Sequence, residues 1–196
     1  MPKVGQEPAR RAALVDATIR EIGKVGSLDV TVGQIARRAG MSPALAHYYF
    51  DTKDAIFLAA MRHILSEFGR LIRLALAGAD TPRARLSAVV ETSLGKEQFK
   101  VEVISAWLVF YVQAQQSGEA ARLLHIYAAR LHSNLVHDLR QLVDLETADR
   151  IASGVGALID GIYIRQALRS DAPDAEHATM LVQEYIDLMI ANAAGK

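Results

Sequence analysis

The stretch TVGQIARRAGMSPALAHYYFDTK, Thr31–Lys53, decides how the chain is read. It has the pattern of two short helices joined by a tight turn, followed by the start of a third. Thr31 suits the N-cap of the first helix, and Gln34 three residues on completes a capping box. Ile35, Ala36 and Ala39 give that helix a small apolar face. Gly40 stands where the chain must turn sharply, through a positive φ that glycine adopts without steric cost. Ser42 offers a second N-cap, and Pro43 takes the first helical position, where its missing N–H costs nothing. The second helix then carries Ala44, Leu45, Ala46, His47, Tyr48, Tyr49 and Phe50. This is the outline of a helix-turn-helix whose second helix reads DNA.

Outward from the motif, the chain reads as helices throughout, with no period-two strand pattern and no internal repeat. On the N-terminal side, Val15, Ile19, Ile22 and Val25 recur at helical spacing and predict a helix from about Pro8 to Val25, ended by Gly26. Residues 1–7 read as a loose tail from which Lys3 can reach a neighbouring groove. On the C-terminal side, a fourth helix starts after Phe50 and runs to about Ala77, with Asp51 or Thr52 as its cap. If continuous it is roughly 40 Å long, enough to join a DNA-binding head to a second domain. Gly78-Ala79-Asp80-Thr81-Pro82 is a linker. Further helices are expected at about 82–94, 99–116, 119–143, 147–168 and 174–193. Leu124, Ala128, Leu131, Leu135, Leu139 and Leu142 mark the buried face of the seventh, Thr147 begins the eighth, and Ser170–Pro173 breaks it. The domain expectation is therefore a head over 1–50 and a larger body over 51–196, with 51–77 as the linking helix.

Composition narrows the function. A chain of 196 residues, 51% hydrophobic, is long enough to bury a substantial core. With no cysteine, disulfides, a thiolate nucleophile and a Cys-ligated metal site are excluded. The net charge of zero conceals an asymmetry: residues 1–63 carry nine Lys/Arg against six Asp/Glu, and the remainder 13 against 16. A mildly basic head on a mildly acidic body suits DNA binding. The N-terminus lacks the apolar segment of a signal peptide, and the longest uncharged run, Val103 to Gly118, is too short and polar to span a bilayer. The expectation is a soluble cytoplasmic protein without membrane partners.

The run T-x-x-x-I-A-x-x-A-G-x-S-x-x-x-x-x-x-Y-F-x-x-K, beginning at Thr31, resembles the TetR family of bacterial transcriptional repressors. That resemblance implies an all-α homodimer: three N-terminal helices that bind a palindromic operator in double-stranded DNA, and six more that bind a small-molecule effector and dimerise. Nine helices is the usual count for the family. Relatives often carry Gly where this chain has Ala44 and Tyr where it has His47.

Candidate site residues follow. Pro43, Ala44, His47 and Tyr48 are candidates to face the major groove, with Ala44, His47 and Tyr48 the candidates for base reading; Ser42, the cap of the reading helix, belongs to the same DNA-binding set, and Tyr49 and Phe50 are expected to pack inward. Thr31, Lys53 and Arg10 or Arg11 are assigned to the DNA backbone, where contacts fix register rather than sequence. Arg10 and Arg11 oppose the dipole of the first helix; solvated charge is one reading, phosphate contact the preferred one. One reading helix covers only a few base pairs, so a dimer is expected to read two half-sites about one turn apart. Gly154, Leu158, Gly161, Ile162, Leu181, Tyr185 and Met189, on the last two helices, are the candidate interface, forming a four-helix bundle across the dimer.

Trp107, Phe110 and Tyr111 place three of the chain's twelve aromatic residues within five positions, on one side of a helix. Aromatic residues at helical spacing usually form core. The cluster also suits a quaternary ammonium held by cation–π attraction, joined by Tyr163 and by an acidic partner such as Asp160 or Glu102. MPKVG, IARRAG, AWLVF, SNLVHDLR and ALIDGIYIRQAL together resemble the choline-responsive branch of the same family, repressors of choline uptake and glycine-betaine synthesis. The resemblance implies choline as effector, with another quaternary amine or cationic compound as the alternative. It implies no cofactor, no metal and no enzymatic activity. Consistent with that, the sequence has no G-x-S-x-G, H-E-x-x-H or Walker loop, and Gly154-Val155-Gly156 has no third glycine in dinucleotide register. His125 and His132, seven apart, suit solvated or core roles better than a metal pair.

Overall fold

The computed structural model describes residues 6–27, 29–168 and 171–194. Among these the chain forms α1 (Glu7–Val25), α2 (Val32–Arg38), α3 (Pro43–Tyr49), α4 (Lys53–Ala77), α5 (Pro82–Leu94), α6 (Val101–Ala114), α7 (Gly118–Leu139), α8 (Leu145–Ala167) and α9 (Ala175–Ala194), with no strand. The all-α architecture is as the sequence predicts. No helix among the described residues is long and apolar enough to cross a membrane. Lys3 and Ser170 lie outside the described residues.

Two compact units result. The first comprises the described residues up to Leu65 together with Val101–Leu123. Its core is built from Leu14 and Ile22 on α1, Ile35 on α2, Ala46 and Tyr49 on α3, Phe50, and Ile56 and Phe57 at the start of α4. α1 is the common support, packing against α2, α3 and α6. A Cβ on Gly23 would collide with the backbone and side chain of Glu102, so the glycine permits the close approach of α1 and α6.

The second unit comprises Ser66–Lys100 and the described residues from Leu124 onward. α9 packs against both α5 and α8. Arg83 forks onto both carboxylate oxygens of Asp187 at 2.7 and 2.9 Å, tying α5 to α9. The Asp187 pKa falls below the usual carboxylate value, chiefly through that hydrogen bond.

Several element ends differ from expectation. α8 begins two residues earlier, because Asp144 rather than Thr147 is its cap: the Asp144 carboxylate accepts from the Thr147 N–H at 2.9 Å. That bond also lowers the Asp144 pKa. α7 stops at Leu139, and only Leu131, Leu135 and Leu139 of its predicted stripe are buried. Leu124 is half-buried, while Ala128 and Leu142 are exposed, so the stripe is narrower than its periodicity implies. α6 starts at Val101 because residues 95–100 form a turn in which the Gly95 carbonyl accepts from Gln98 and Phe99.

Candidate functional site

The helix-turn-helix is assembled from local bonds. Thr31 and Gln34 form the reciprocal capping box: the Gln34 N–H donates to the Thr31 hydroxyl at 3.2 Å, and the Thr31 N–H to the Gln34 side chain at 2.7 Å. α2 ends in a Schellman motif. Gly40 has φ +68°, its N–H donates to the Arg37 carbonyl at 3.1 Å, and the Met41 N–H reaches the Ala36 carbonyl at 2.8 Å. Ser42 then caps α3 by accepting from the Leu45 N–H at 3.2 Å, with Pro43 in the first turn. These bonds set the angle at which α3 leaves the turn.

α3 has two distinct faces. Ala46, Tyr49 and the following Phe50 are buried. Ser42, Pro43, Ala44, His47 and Tyr48 are exposed, and Tyr48 is 67% exposed. The four residues proposed to face the groove, Pro43, Ala44, His47 and Tyr48, are thus all exposed. The Tyr48 ring meets the buried Tyr49 ring edge-on at 5.2 Å, which steadies its direction. A surface of this kind presents an imidazole, a phenol and small groups able to approach base edges. Thr31 is exposed, its hydroxyl engaged in the cap. Lys53 is half-buried, with Nζ 5.3 Å from the centre of the Phe57 ring.

Arg10 is half-buried and Arg11 is exposed, and both side chains have partners within the protein. Arg10 donates to the Gln6 side chain at 2.8 Å and to the Tyr49 hydroxyl at 3.4 Å. Arg11 donates to the Tyr49 backbone carbonyl at 2.7 Å and lies over the Phe50 ring, 4.4 Å from its centre. Their spacing in sequence carried no signal of these partners.

In the first unit, Trp107 and Phe110 are 2% and 1% exposed, so both are core. Tyr111 is half-buried, its ring 6.0 Å from that of Trp107.

The second unit contains an aromatic group that the sequence showed only at Tyr163. Tyr127 on α7 meets Phe68 on α4 edge-on at 5.2 Å, and Tyr163 on α8 meets Phe99 at 5.5 Å. The Tyr163 hydroxyl donates to the Ser93 carbonyl at 2.6 Å. Both phenols have pKa values raised well above the ordinary tyrosine value, first by removal from water, with the negative charge of Asp160 contributing at each. Asp160 stands one turn before Tyr163 on α8. Aromatic faces beside a carboxylate form a setting suited to an organic cation. The described residues hold no cluster of three or more potential metal ligands.

The proposed interface residues divide. Leu158, Gly161, Ile162, Leu181 and Tyr185 line an open groove of about 950 Å³ between α8 and α9. Gly161 has open space where a Cβ would be, whereas Gly154 is occupied within the protomer by the Tyr185 side chain. Met189 is half-buried on α9.

Comparison with known proteins gives a consistent picture. Residues 14–60 match the tetR family of bacterial regulatory proteins, and residues 82–191 match the C-terminal region of the BetI-type transcriptional repressors. A relative from Brucella abortus named HTH-type transcriptional regulator BetI is 56% identical over 191 residues, covering 97% of this chain and 96% of its own. A regulator of the same name from Rhizobium meliloti is 48% identical, covering 100% and 97%. A transcriptional regulator from Saccharomonospora viridis, solved in complex with choline, superposes with TM-score 0.81 at 24% identity, covering 90% of this chain and 95% of that one.

Proposed function

The chain belongs to the TetR family of bacterial regulators and to its BetI-type repressors, and from that premise we propose that it represses genes of choline transport and glycine-betaine synthesis in the cytoplasm and leaves its operator when choline binds. Regulators of this family bind operator DNA and small-molecule effectors and function as dimers; they are not enzymes. The reading extends this to a palindromic operator, two half-sites of which meet the exposed α3 faces of a dimer.

The observation that carries the effector reading is the pair of ring contacts in the second unit, Tyr127 with Phe68 and Tyr163 with Phe99, with Asp160 one turn before Tyr163 on α8. A compact quaternary ammonium gains from aromatic faces, and gains more when desolvated. The Asp160 carboxylate adds attraction for its charge. The Saccharomonospora likeness supports the fold; the ligand is argued from these residues. Release requires that choline favour the arrangement that does not bind DNA, since equal affinity for both shifts nothing.

The test is binding to the promoter duplex upstream of choline-oxidation genes, with and without choline, beside calorimetry with choline and its neutral carbon analogue 3,3-dimethylbutanol. The reading expects promoter binding that choline weakens, and tighter binding of choline than of the analogue. Equal affinity for the two compounds defeats the cation argument. Promoter binding that answers to a different quaternary amine and not to choline replaces the effector.

A further inference from the structure

We propose that Arg11 is a positioning residue for DNA reading: it braces the C-terminal end of α3 against α1 and serves sequence discrimination rather than phosphate attraction. The inference rests on α3 being the reading helix.

α3 has seven residues, two turns, and a helix that short does not hold its conformation by its own hydrogen bonds. Its N-terminal end is fixed by the Ser42 cap. At the other end the last carbonyls of a helix have no partner within it. Arg11 supplies one, donating from Nη1 to the carbonyl of Tyr49, the final residue of α3, at 2.7 Å. The same guanidinium lies 4.4 Å over the ring of Phe50, which is 5% exposed, and Glu7 stands 4.0 Å away on the preceding turn of α1. Arg10 adds a bond to the Tyr49 hydroxyl from the same turn.

Three properties of one side chain are therefore in use: a charge, a directed donor and a flat face. Lysine keeps the charge, but lacks the planar fork that donates to a carbonyl while stacking on a ring. Tyr48, the neighbour of the braced residue, is the most exposed aromatic residue on the reading face. Movement of the helix end would carry Tyr48 and His47 out of register with base edges. Contacts to phosphate along a uniform backbone tolerate such movement far better. α1 grips the other helix of the motif as well, through the ion pair of Glu21 with Arg38.

The experiment uses the full chain with Arg11→Lys and Arg11→Gln. The probes are a duplex selected by the wild-type protein from a random-sequence library and a scrambled duplex of the same composition. The proposal expects Arg11→Lys to lose about tenfold in affinity for the selected duplex, the scale of one mismatched base pair. Affinity for the scrambled duplex and the salt slope stay as in wild type, and amide exchange quickens in α3. Arg11→Gln behaves similarly on the selected duplex.

A phosphate role predicts the opposite pattern and would overturn the proposal: Arg11→Lys like wild type, and Arg11→Gln weakened on both duplexes with the salt slope reduced by about 0.9. A merely structural role would also overturn it, showing as a lower melting temperature and equal losses on both duplexes. Failure of the α3 assignment is read separately, as unchanged base preference when His47 or Tyr48 is replaced by alanine.

Discussion

Arg85 on α5 donates from Nε to the Asp138 carboxylate on α7 at 2.7 Å, and the Asp138 side chain is 1% exposed. Arg85 also donates to the Leu76 carbonyl near the end of α4 at 3.1 Å, so one guanidinium joins three helices of the second unit. The second carboxylate oxygen of Asp138 has no hydrogen-bond partner among the described residues. The carboxylate is therefore buried and incompletely satisfied, while Arg85 keeps 28% of its side chain exposed. Removing one partner leaves an uncompensated buried charge. We expect Arg85→Ala to cost about 3–5 kcal/mol in urea denaturation, and the double variant Arg85→Met, Asp138→Leu to recover much of that loss.

Lys53 is the clearest remaining candidate for phosphate. Lys53→Ala should weaken binding to all DNA sequences alike and reduce the salt slope by about 0.9, because one counterion fewer is released. His47→Ala or Tyr48→Ala should instead change preference among operator variants. Anisotropy titrations at several salt concentrations measure both. A changed base preference in Lys53→Ala at constant slope would reassign it.

Asp160→Asn keeps the shape of the side chain and removes its charge. Choline affinity should fall by roughly tenfold or more, as expected for losing an attractive charge near a cation, with promoter affinity in the absence of choline preserved. Trp107→Ala should act differently: it empties a fully buried site and costs about 3–5 kcal/mol of stability. Calorimetry together with thermal denaturation separates the two. Unchanged choline affinity in Asp160→Asn would place the pocket elsewhere.

Gly154 and Gly161, one heptad apart on α8, should respond in opposite ways. A methyl group on Gly154 meets the Tyr185 ring, so Gly154→Ala should lose about 1–3 kcal/mol through overpacking. A methyl group on Gly161 meets nothing within the protomer. Gly161→Ala should therefore leave the protomer's own stability intact or raise it slightly, up to about 1 kcal/mol from helix propensity. If the groove it lines is the dimer face, the same change weakens self-association in sedimentation.

Tyr127 and Tyr163 predict the alkaline limit. Their folded pKa values lie above the ordinary value near 10, so the folded state keeps protons that the unfolded chain gives up. Their contribution is complete below about pH 10 and is lost as pH rises through the folded values. Tyr163→Phe should flatten the fall of stability above about pH 10, at the cost of the hydrogen bond to Ser93. Chemical denaturation across that range measures it.

What the sequence determined by itself is the set of features made within four or five residues. The capping box of Thr31 and Gln34, the positive φ of Gly40, the Ser42 cap with Pro43, and the inward and outward faces of α3 follow from bonding and periodicity along one short segment. For that reason the helix-turn-helix and the all-α class were legible, and Gly26 ended α1 as read, with φ +69°. Tertiary structure decided what depends on partners far along the chain. Arg11 finds Tyr49 across 38 residues, Arg85 finds Asp138 across 53, and Tyr163 finds Ser93 across 70. A guanidinium can reach a phosphate or a carbonyl equally well, and a tyrosine at helical spacing can face any neighbour; only the packing of other helices chooses. The same reason applies to Trp107, whose burial no local signal fixed, and to Tyr127, which carries no local signal of its ring contact with Phe68. The contact of Tyr127 with Phe68 arises only when α4 and α7 fold against each other.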